Sequence, residues 1–155
     1  VITQDSRNWQ LMQNEYRTDG LRFAYPSDWN LTEEQQPDGL SIMVNGDSTA
    51  FCSFMLMPDR PAIDHVLDTA LGAFRESYDE LDTEPVKCRL SSRAARGIDV
   101  DFYCLELLNS AWLRAFRTGR YTVFVMFQAG FDEPDARSVF ESICESLECN
   151  AEIEA

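Results

Sequence analysis

The stretch Trp112–Ala129, WLRAFRTGRYTVFVMFQA, decides the fold. Two runs rich in aromatic and β-branched residues flank the turn-forming pair Thr118-Gly119, which is the pattern of a β-hairpin. The second run, residues 123–127, is apolar at every position, so both of its faces must be buried. A strand that is buried on both faces lies inside a sheet rather than at its edge. The sequence therefore predicts a sheet with this hairpin near its centre.

Strand-type patterns recur on the N-terminal side of this hairpin, and turn signals separate several of them. Asn45-Gly46 is a hairpin signal, and Arg96-Gly97 indicates a turn between two strands. If those two strands pair around Arg96, Cys88 and Cys104 lie opposite each other and point inward. The predicted strands cover residues 21–25, 29–31, 40–44, 50–57, 86–90 and 98–104.

Two segments have the period of a one-sided helix. The first follows Pro58 and takes Asp59 as its N-cap, and the second takes Asp132. Each carries one apolar stripe that has to be buried on a sheet, and hairpin order favours antiparallel strands, so the predicted class is α+β. Polar residues along several strands leave part of one sheet face open. The predicted stripes are Ile63, Val66, Leu67, Ala70, Leu71, Phe74 and Tyr78, and then Val139, Phe140, Ile143, Cys144 and Leu147.

The length of 155 residues fits one domain, which we place at 17–150, after an N-terminal arm at 1–16 and before a frayed acidic tail at 151–155. No apolar run approaches the roughly 20 residues that span a bilayer. Five cysteines without a C-x-x-C pair are typical of free thiols, so we expect a cytoplasmic protein. An exported location stays open, because the first residue is Val1 and not Met.

The net charge of −14 argues against nucleic-acid binding and against anionic membrane surfaces, both of which attract basic proteins. The charge is uneven, because residues 87–120 are net +4 and the remainder is net −18. Twelve of the thirteen bases are Arg, which binds carboxylates through two parallel hydrogen bonds. Either the surplus acids neutralise this cluster, or it docks an acidic peptide or anionic ligand. The predicted partner-binding patch is Arg93, Arg96, Arg114, Arg117 and Arg120.

Catalytic motifs are missing from the sequence: it has no nucleophile elbow, phosphate-binding loop, dinucleotide fingerprint or zinc-protease motif. His65 is interpreted as an ordinary helix residue, and the cysteines as buried, inert thiols. Asp99 and Asp101 share one strand face, which suits acid–base work or a cation. We favour a solvated face on which Lys87 and Arg89 lie across from them. The sequence thus predicts no catalytic residue, no metal and no cofactor.

The segment Leu21–Trp29, LRFAYPSDW, resembles the F-x-Y-P-x-x-W opening of the Mog–PsbP-like superfamily, through Phe23, Tyr25, Pro26 and Trp29. The later order of elements is also similar, over about residues 21–148. The resemblance implies an α/β/α sandwich with a central antiparallel sheet. Members of the superfamily are mainly not enzymes; they include a photosystem II subunit, a nuclear-transport factor, bacterial lipoproteins and chaperone-like secretion adaptors.

The leading functional prediction is a non-enzymatic adaptor or chaperone-like domain that binds another protein or an acidic peptide. One alternative is a small-ligand carrier or an unrecognised hydrolase with a pocket between sheet and helix. The other alternative is a structural homodimer, so the expected state is a monomer or a homodimer. Nucleic acid and membrane insertion are not expected.

Overall fold

The computed structural model describes residues 14–18, 20–46 and 48–149. Within them the chain forms strands, a helix, more strands, a second helix and a short last strand. The helices are α1 (Ile63–Ser77) and α2 (Ala136–Ser146). The strands are β1 (Asn14–Thr18), β2 (Leu21–Tyr25), β3 (Asn30–Gln36), β4 (Gly39–Asn45), β5 (Phe51–Met57), β6 (Leu81–Leu90), β7 (Arg93–Cys104), β8 (Leu107–Arg117), β9 (Thr122–Gly130) and β10 (Glu148–Cys149).

Seven of these strands form one antiparallel sheet in the order β3-β4-β5-β9-β8-β7-β6. The apolar strand β9 occupies the middle position, as predicted. Its Val123, Val125 and Phe127 are fully buried on one face, and Phe124 and Met126 are half-buried on the other. Since both faces of β9 carry apolar side chains, each face can receive a further layer.

The two edges of this sheet are β3 and β6. Pro85 lies in the middle of β6, a place that an edge strand tolerates because proline has no N–H to donate to a second neighbour. Exposed charged side chains, among them Glu84 on β6 and Glu34 on β3, line both edges. Each edge strand therefore pairs fully with its inner neighbour but offers little to a further strand on its outer side.

The two helices cover opposite faces of the sheet. On one face α1 buries Leu67, Leu71 and Phe74 against a cluster that includes Val100 and Phe102 of β7. On the other face α2 buries its stripe, Val139, Phe140 and Ile143, against the odd-numbered side chains of β9. This arrangement confirms the predicted α+β class and the α/β/α layering that the resemblance implied.

A small sheet, in the order β1-β2-β10, packs on the same side as α2. Phe23 of β2 stacks on Phe54 of β5, with ring centroids 4.1 Å apart. Ser146, at the end of α2, accepts a 2.8 Å hydrogen bond from the N–H of Ala24. The small sheet therefore completes the layer that covers this face.

The predicted N-terminal arm, 1–16, lies mostly outside the described residues, and so does the tail 151–155. Residues 14–16 of the arm belong to β1, which pairs with β2 from Asn14 to Thr18. Neither described helix is long and apolar enough to cross a membrane.

The turn between β6 and β7 was predicted at Arg96-Gly97, and this prediction is wrong. The chain turns at Ser91-Ser92, where both residues have positive φ, as a two-residue hairpin turn requires. As a result Cys88 lies opposite Ala95 and not opposite Cys104. Gly97 serves a different purpose, because a Cβ there would come within 2.1 Å of the Leu113 carbonyl oxygen. The glycine permits close packing of β7 on β8 and does not mark a turn.

The predicted N-caps are also wrong. Helix α1 begins after Ala62 and α2 after Asp135, and neither cap makes a side-chain hydrogen bond. Asp59 lies in a turn that the Arg60 N–H closes onto the Met57 carbonyl. Asp132 lies in a similar turn before α2. These turns delay the start of each helix, so the acidic residues come too early to cap it.

Candidate functional site

A groove of about 580 Å³ lies between α1 and the open part of the sheet face that α1 only partly covers. Helix α1 packs over β7 and β8, which leaves the same face of β4, β5 and β9 accessible. The open face that polar residues predicted is therefore found, and its floor is largely apolar. Side chains from the three strands form that floor: Ser41, Met43, Ser53, Met55, Met57 and Phe124.

Strand register explains the shape of the floor. Ser41, Met55 and Phe124 stand side by side across β4, β5 and β9, because each is paired with the next. In the neighbouring row Met43 faces Ser53. Small serines placed beside long methionines make depressions in the surface, and all of these side chains are only half-buried.

The helical wall of the groove comes from one side of α1. Val66, Thr69, Ala70 and Ala73 line it together with His65. Alanine and threonine are short, so the wall stands back from the methionines and the groove stays open. A bulkier helix face would close the space by packing directly on β5.

The rim of the groove is acidic. Asp38, at the turn between β3 and β4, and Asp59, before α1, both line it and are exposed. Among the described residues that line this opening there is neither Lys nor Arg. An apolar floor with carboxylates at the rim favours a ligand that is apolar in its middle and basic at its ends.

His65 lies on α1, lines the groove and is exposed to solvent. Within the described part of the chain, no hydrogen bond or ion pair reaches its imidazole, and no cysteine lines the groove beside it. A general base needs an orienting partner in addition to a cleft. We therefore treat His65 only as an exposed residue that lines the groove.

The predicted arginine patch is distributed over both faces of the sheet. Arg96 and Arg117 lie on the α1 face, where Arg96 contacts Asp64 at 2.7 Å and Arg117 donates to the Arg60 carbonyl at 2.9 Å. On the α2 face, Arg93 is half-buried and Arg114 is only 4% exposed. Arg120 is exposed in the turn between β8 and β9. Partner binding by these residues stays a prediction, and Arg114 has no accessible guanidinium to offer.

Asp99 and Asp101 share one strand face, as predicted, but their expected partners Lys87 and Arg89 do not lie across from them. Glu84 and Asp82 occupy those positions. The Asp99 carboxylate instead accepts a 2.8 Å hydrogen bond from Arg114 of β8 and lies 3.5 Å from Arg137 of α2. The turn at Ser91-Ser92 comes earlier in the chain than the predicted turn at Arg96-Gly97, so β6 pairs with β7 in a different register, which explains the difference. Among the described residues no group of His, Cys, Asp and Glu is placed to hold a metal ion.

The sequence interpreted the cysteines as buried, and the structure bears this out only in part: Cys52 is buried, whereas Cys88, Cys104, Cys144 and Cys149 are half-buried. Burial raises the pKa of Cys52 well above its usual value and raises that of Cys144 to about 12, so both stay as thiols near neutrality. A thiol in that form is a poor nucleophile. The structure contains free thiols at Cys52, Cys88, Cys104, Cys144 and Cys149.

One alternative placed a pocket between the sheet and a helix, but the residues that form the groove were not predicted. The signal was present in the alternation of β5, where Ser53, Met55 and Met57 share one face. A second signal was the row of small residues on α1. Which strands meet under that helix depends on the sheet order, which the local pattern does not encode.

No protein-family model and no curated protein matches this sequence. Solved structures do match by shape. LpqN, described as involved in cell envelope biogenesis of Mycobacterium tuberculosis, has a TM-score of 0.51 at 14% identity, over 84% of this chain and 83% of LpqN. A mutant of the protein Mog1 has a TM-score of 0.58 at 8% identity, over 92% of this chain and 100% of Mog1.

The chain therefore shares its overall fold with LpqN and Mog1. A structure from Bacteroides thetaiotaomicron VPI-5482 agrees, with a TM-score of 0.60 and 13% identity over 90% of this chain. This chain spans about half of that one, 49%. At such low identities the comparison establishes the shared architecture, and function has to be argued from the groove and the surface.

Proposed function

We propose that this protein is a non-enzymatic protein-binding domain, of the adaptor or chaperone-like kind, which holds an apolar segment of another protein in the groove beside α1. The observation that carries the proposal is the half-exposed methionine floor, Met43, Met55 and Met57, in an opening of about 580 Å³. Apolar surface left open beside a packed core is characteristic of interaction sites.

Methionine suits a site that accepts more than one sequence. Its side chain is unbranched and polarisable, so it can rearrange around differently shaped apolar groups. Surfaces rich in methionine therefore favour adaptors with several partners. The serines between the methionines add hydroxyl groups that can bond to a bound backbone.

The charges around the groove favour a partner segment with basic flanks. Asp38 and Asp59 stand exposed at the rim, and the whole chain is strongly acidic. The sequence alone favoured an acidic peptide at the arginine cluster. Since Arg114 is buried and the other arginines lie on different faces, the groove is the better candidate surface.

The small-ligand alternative has one observation in its favour, since the volume falls within the roughly 300–1,000 Å³ of ligand sites. The opening is, however, a trough along a helix and not an enclosed cavity. An extended or helical segment fits a trough along its whole length, whereas a small molecule would keep much of its surface in water.

Methyl NMR on protein labelled at methionine tests the proposal. Two short peptides are titrated, both with the same apolar core, one flanked by Lys and the other by Glu. We expect the Lys-flanked peptide to shift the methyl signals of Met43, Met55 and Met57. The signal of Met126, which is half-buried beside Ser53 and does not itself line the groove, should shift less than the other three and serves as the internal reference.

A matched pair of variants completes the test. Met55→Leu keeps the floor apolar and should keep binding, whereas Met55→Glu places a carboxylate on the floor and should abolish it. Circular dichroism verifies that both variants fold. Equal binding of the Lys-flanked peptide by Met55→Glu would reject the proposal. A small aliphatic acid is titrated in parallel. Methyl shifts with that acid and with neither peptide would also reject the proposal, and would favour a small-ligand carrier.

A further inference from the structure

The tip of the β7–β8 hairpin has a backbone that its sequence does not favour. Leu105 and Glu106 both have positive φ, at 52° and 68°. A two-residue turn with this geometry is normally supplied by Asn-Gly, because side chains with a Cβ are strained there. Strained backbone that persists is concentrated at functional sites.

The same tip exposes large apolar side chains. Leu105 is 92% exposed, Phe131 65%, Leu107 55% and Tyr103 54%, and no other large hydrophobic residue in the described ranges is exposed to this degree. Phe131 joins the hairpin because its N–H donates to the Leu108 carbonyl at 3.0 Å. The turn thus exposes Leu105 at the end of the hairpin, with Tyr103 on one face of the hairpin and Leu107 on the other.

In the two sequence segments that form this tip, every charged residue is acidic. The sequence contains no Lys, Arg or His between Arg96 and Arg114, nor between Tyr121 and Ala136. Glu106 and Asp132 are exposed beside the apolar side chains. This charge opposes an anionic membrane surface. It also opposes a symmetric pairing of two tips, which would bring carboxylates against carboxylates.

We propose that this tip, with Leu105 as its anchor, docks into an apolar pocket bordered by Lys or Arg on a partner protein. The surface is distinct from the groove beside α1. Pro61, at the start of α1, meets β9 at Thr122, whereas Phe131 follows the other end of β9. The groove reaches along the sheet as far as Ser53, which pairs with Met126, so about five residues of strand, or roughly 17 Å, separate it from Phe131. The tip inserts into its partner, while the groove receives a segment.

Photo-crosslinking in the source cells tests the proposal. A benzophenone amino acid replaces Leu105 in the full chain, and a matched chain carries it at Lys87, an exposed position on edge strand β6. We expect one dominant protein crosslink from the tip, mapped to a peptide in which apolar residues lie between basic ones. A crosslink mainly to a second copy of this chain, to an acidic segment, or equally strong from position 87 would overturn the proposal.

A second variant separates docking from folding damage. The substitutions Leu105→Asn and Glu106→Gly supply the favoured turn, so the thermal midpoint should rise. With the benzophenone moved to Leu107, this variant should give about tenfold less crosslinked product, since an anchor side chain is lost. An undiminished crosslink would refute the role of Leu105. Lys-flanked peptide binding to the groove should be unchanged, so the two proposals can fail independently.

Discussion

The pair Arg114–Asp99 gives the sharpest test of how this fold is stabilised. Arg114 is only 4% exposed, its Nη1 donates to the Asp99 carboxylate at 2.8 Å and to the Leu113 carbonyl at 2.9 Å, and its guanidinium lies over the Phe140 ring at 5.4 Å. The Asp99 side chain is 26% exposed and also lies near Arg137. Removal of Asp99 would therefore leave a buried charge without its partner, whereas removal of Arg114 would leave a carboxylate that water can still reach.

This asymmetry predicts different costs for removing each side. Asp99→Ala leaves a buried guanidinium without its carboxylate, a change that typically costs 3–5 kcal/mol of unfolding free energy. We expect about 3 kcal/mol, because the Leu113 carbonyl and the Phe140 ring still contact the charge. Arg114→Met leaves Asp99 with water and Arg137 and puts an apolar chain in the buried space, so we expect about 1 kcal/mol or less.

Urea denaturation followed by circular dichroism measures both costs, with equal slopes required for a valid comparison. The thermal midpoint of Asp99→Ala should fall on the order of 6–12 °C for a chain of this size. Glu141→Ala is the matched control, since Glu141 pairs with Arg137 at the surface and should contribute only about 0.3–0.5 kcal/mol. If Asp99→Ala costs no more than this control, or less than Arg114→Met, the reasoning from burial is wrong.

Two further predictions concern glycine and tyrosine. Gly97→Ala should lower the free energy of unfolding by about 1–3 kcal/mol, because the new Cβ would come within 2.1 Å of the Leu113 carbonyl oxygen. Gly72→Ala is the matched control: its Cβ would meet no atom within 4 Å, so the free energy of unfolding should rise by about 1 kcal/mol. A neutral Gly97→Ala in the same denaturation assay would contradict the close packing. Burial and the hydrogen bond to Glu33 raise the pKa of Tyr16 to about 12, from about 10 in the unfolded chain. The contribution of Tyr16 to the stability of the fold is therefore complete below pH 10 and is lost as the pH rises through 12. The stability difference from Tyr16→Phe should be constant below pH 10 and shrink above it, and no change with pH would refute this.

The sequence best predicted those features for which all residues of one segment indicate the same secondary structure and the same degree of burial. Residues 123–127 are apolar throughout, so their central place in the sheet followed directly. The stripes of α1 and α2 were predicted because a helix that buries one side repeats its apolar residues with the helical period. Such signals are local, and they need no knowledge of neighbouring strands.

The predictions that went wrong depended on distant neighbours. Gly97 was interpreted as a turn because nothing in its own segment reveals the approach of β8. Arg114 and Arg117 are close in sequence, yet an odd spacing along one strand places them on opposite faces. The methionine groove exists because β4, β5 and β9 are adjacent, and only the assembled sheet order creates that floor.

The edges of the large sheet limit how molecules of this protein can associate. Pro85 interrupts the hydrogen-bonding row of β6, and carboxylates line β3, so an incoming strand meets either a missing donor or a charge. A second molecule cannot readily extend the sheet, and growth into fibrils is disfavoured even in concentrated solution. Contacts between this large sheet and another molecule are therefore expected at its faces and hairpin tips rather than along its edge strands.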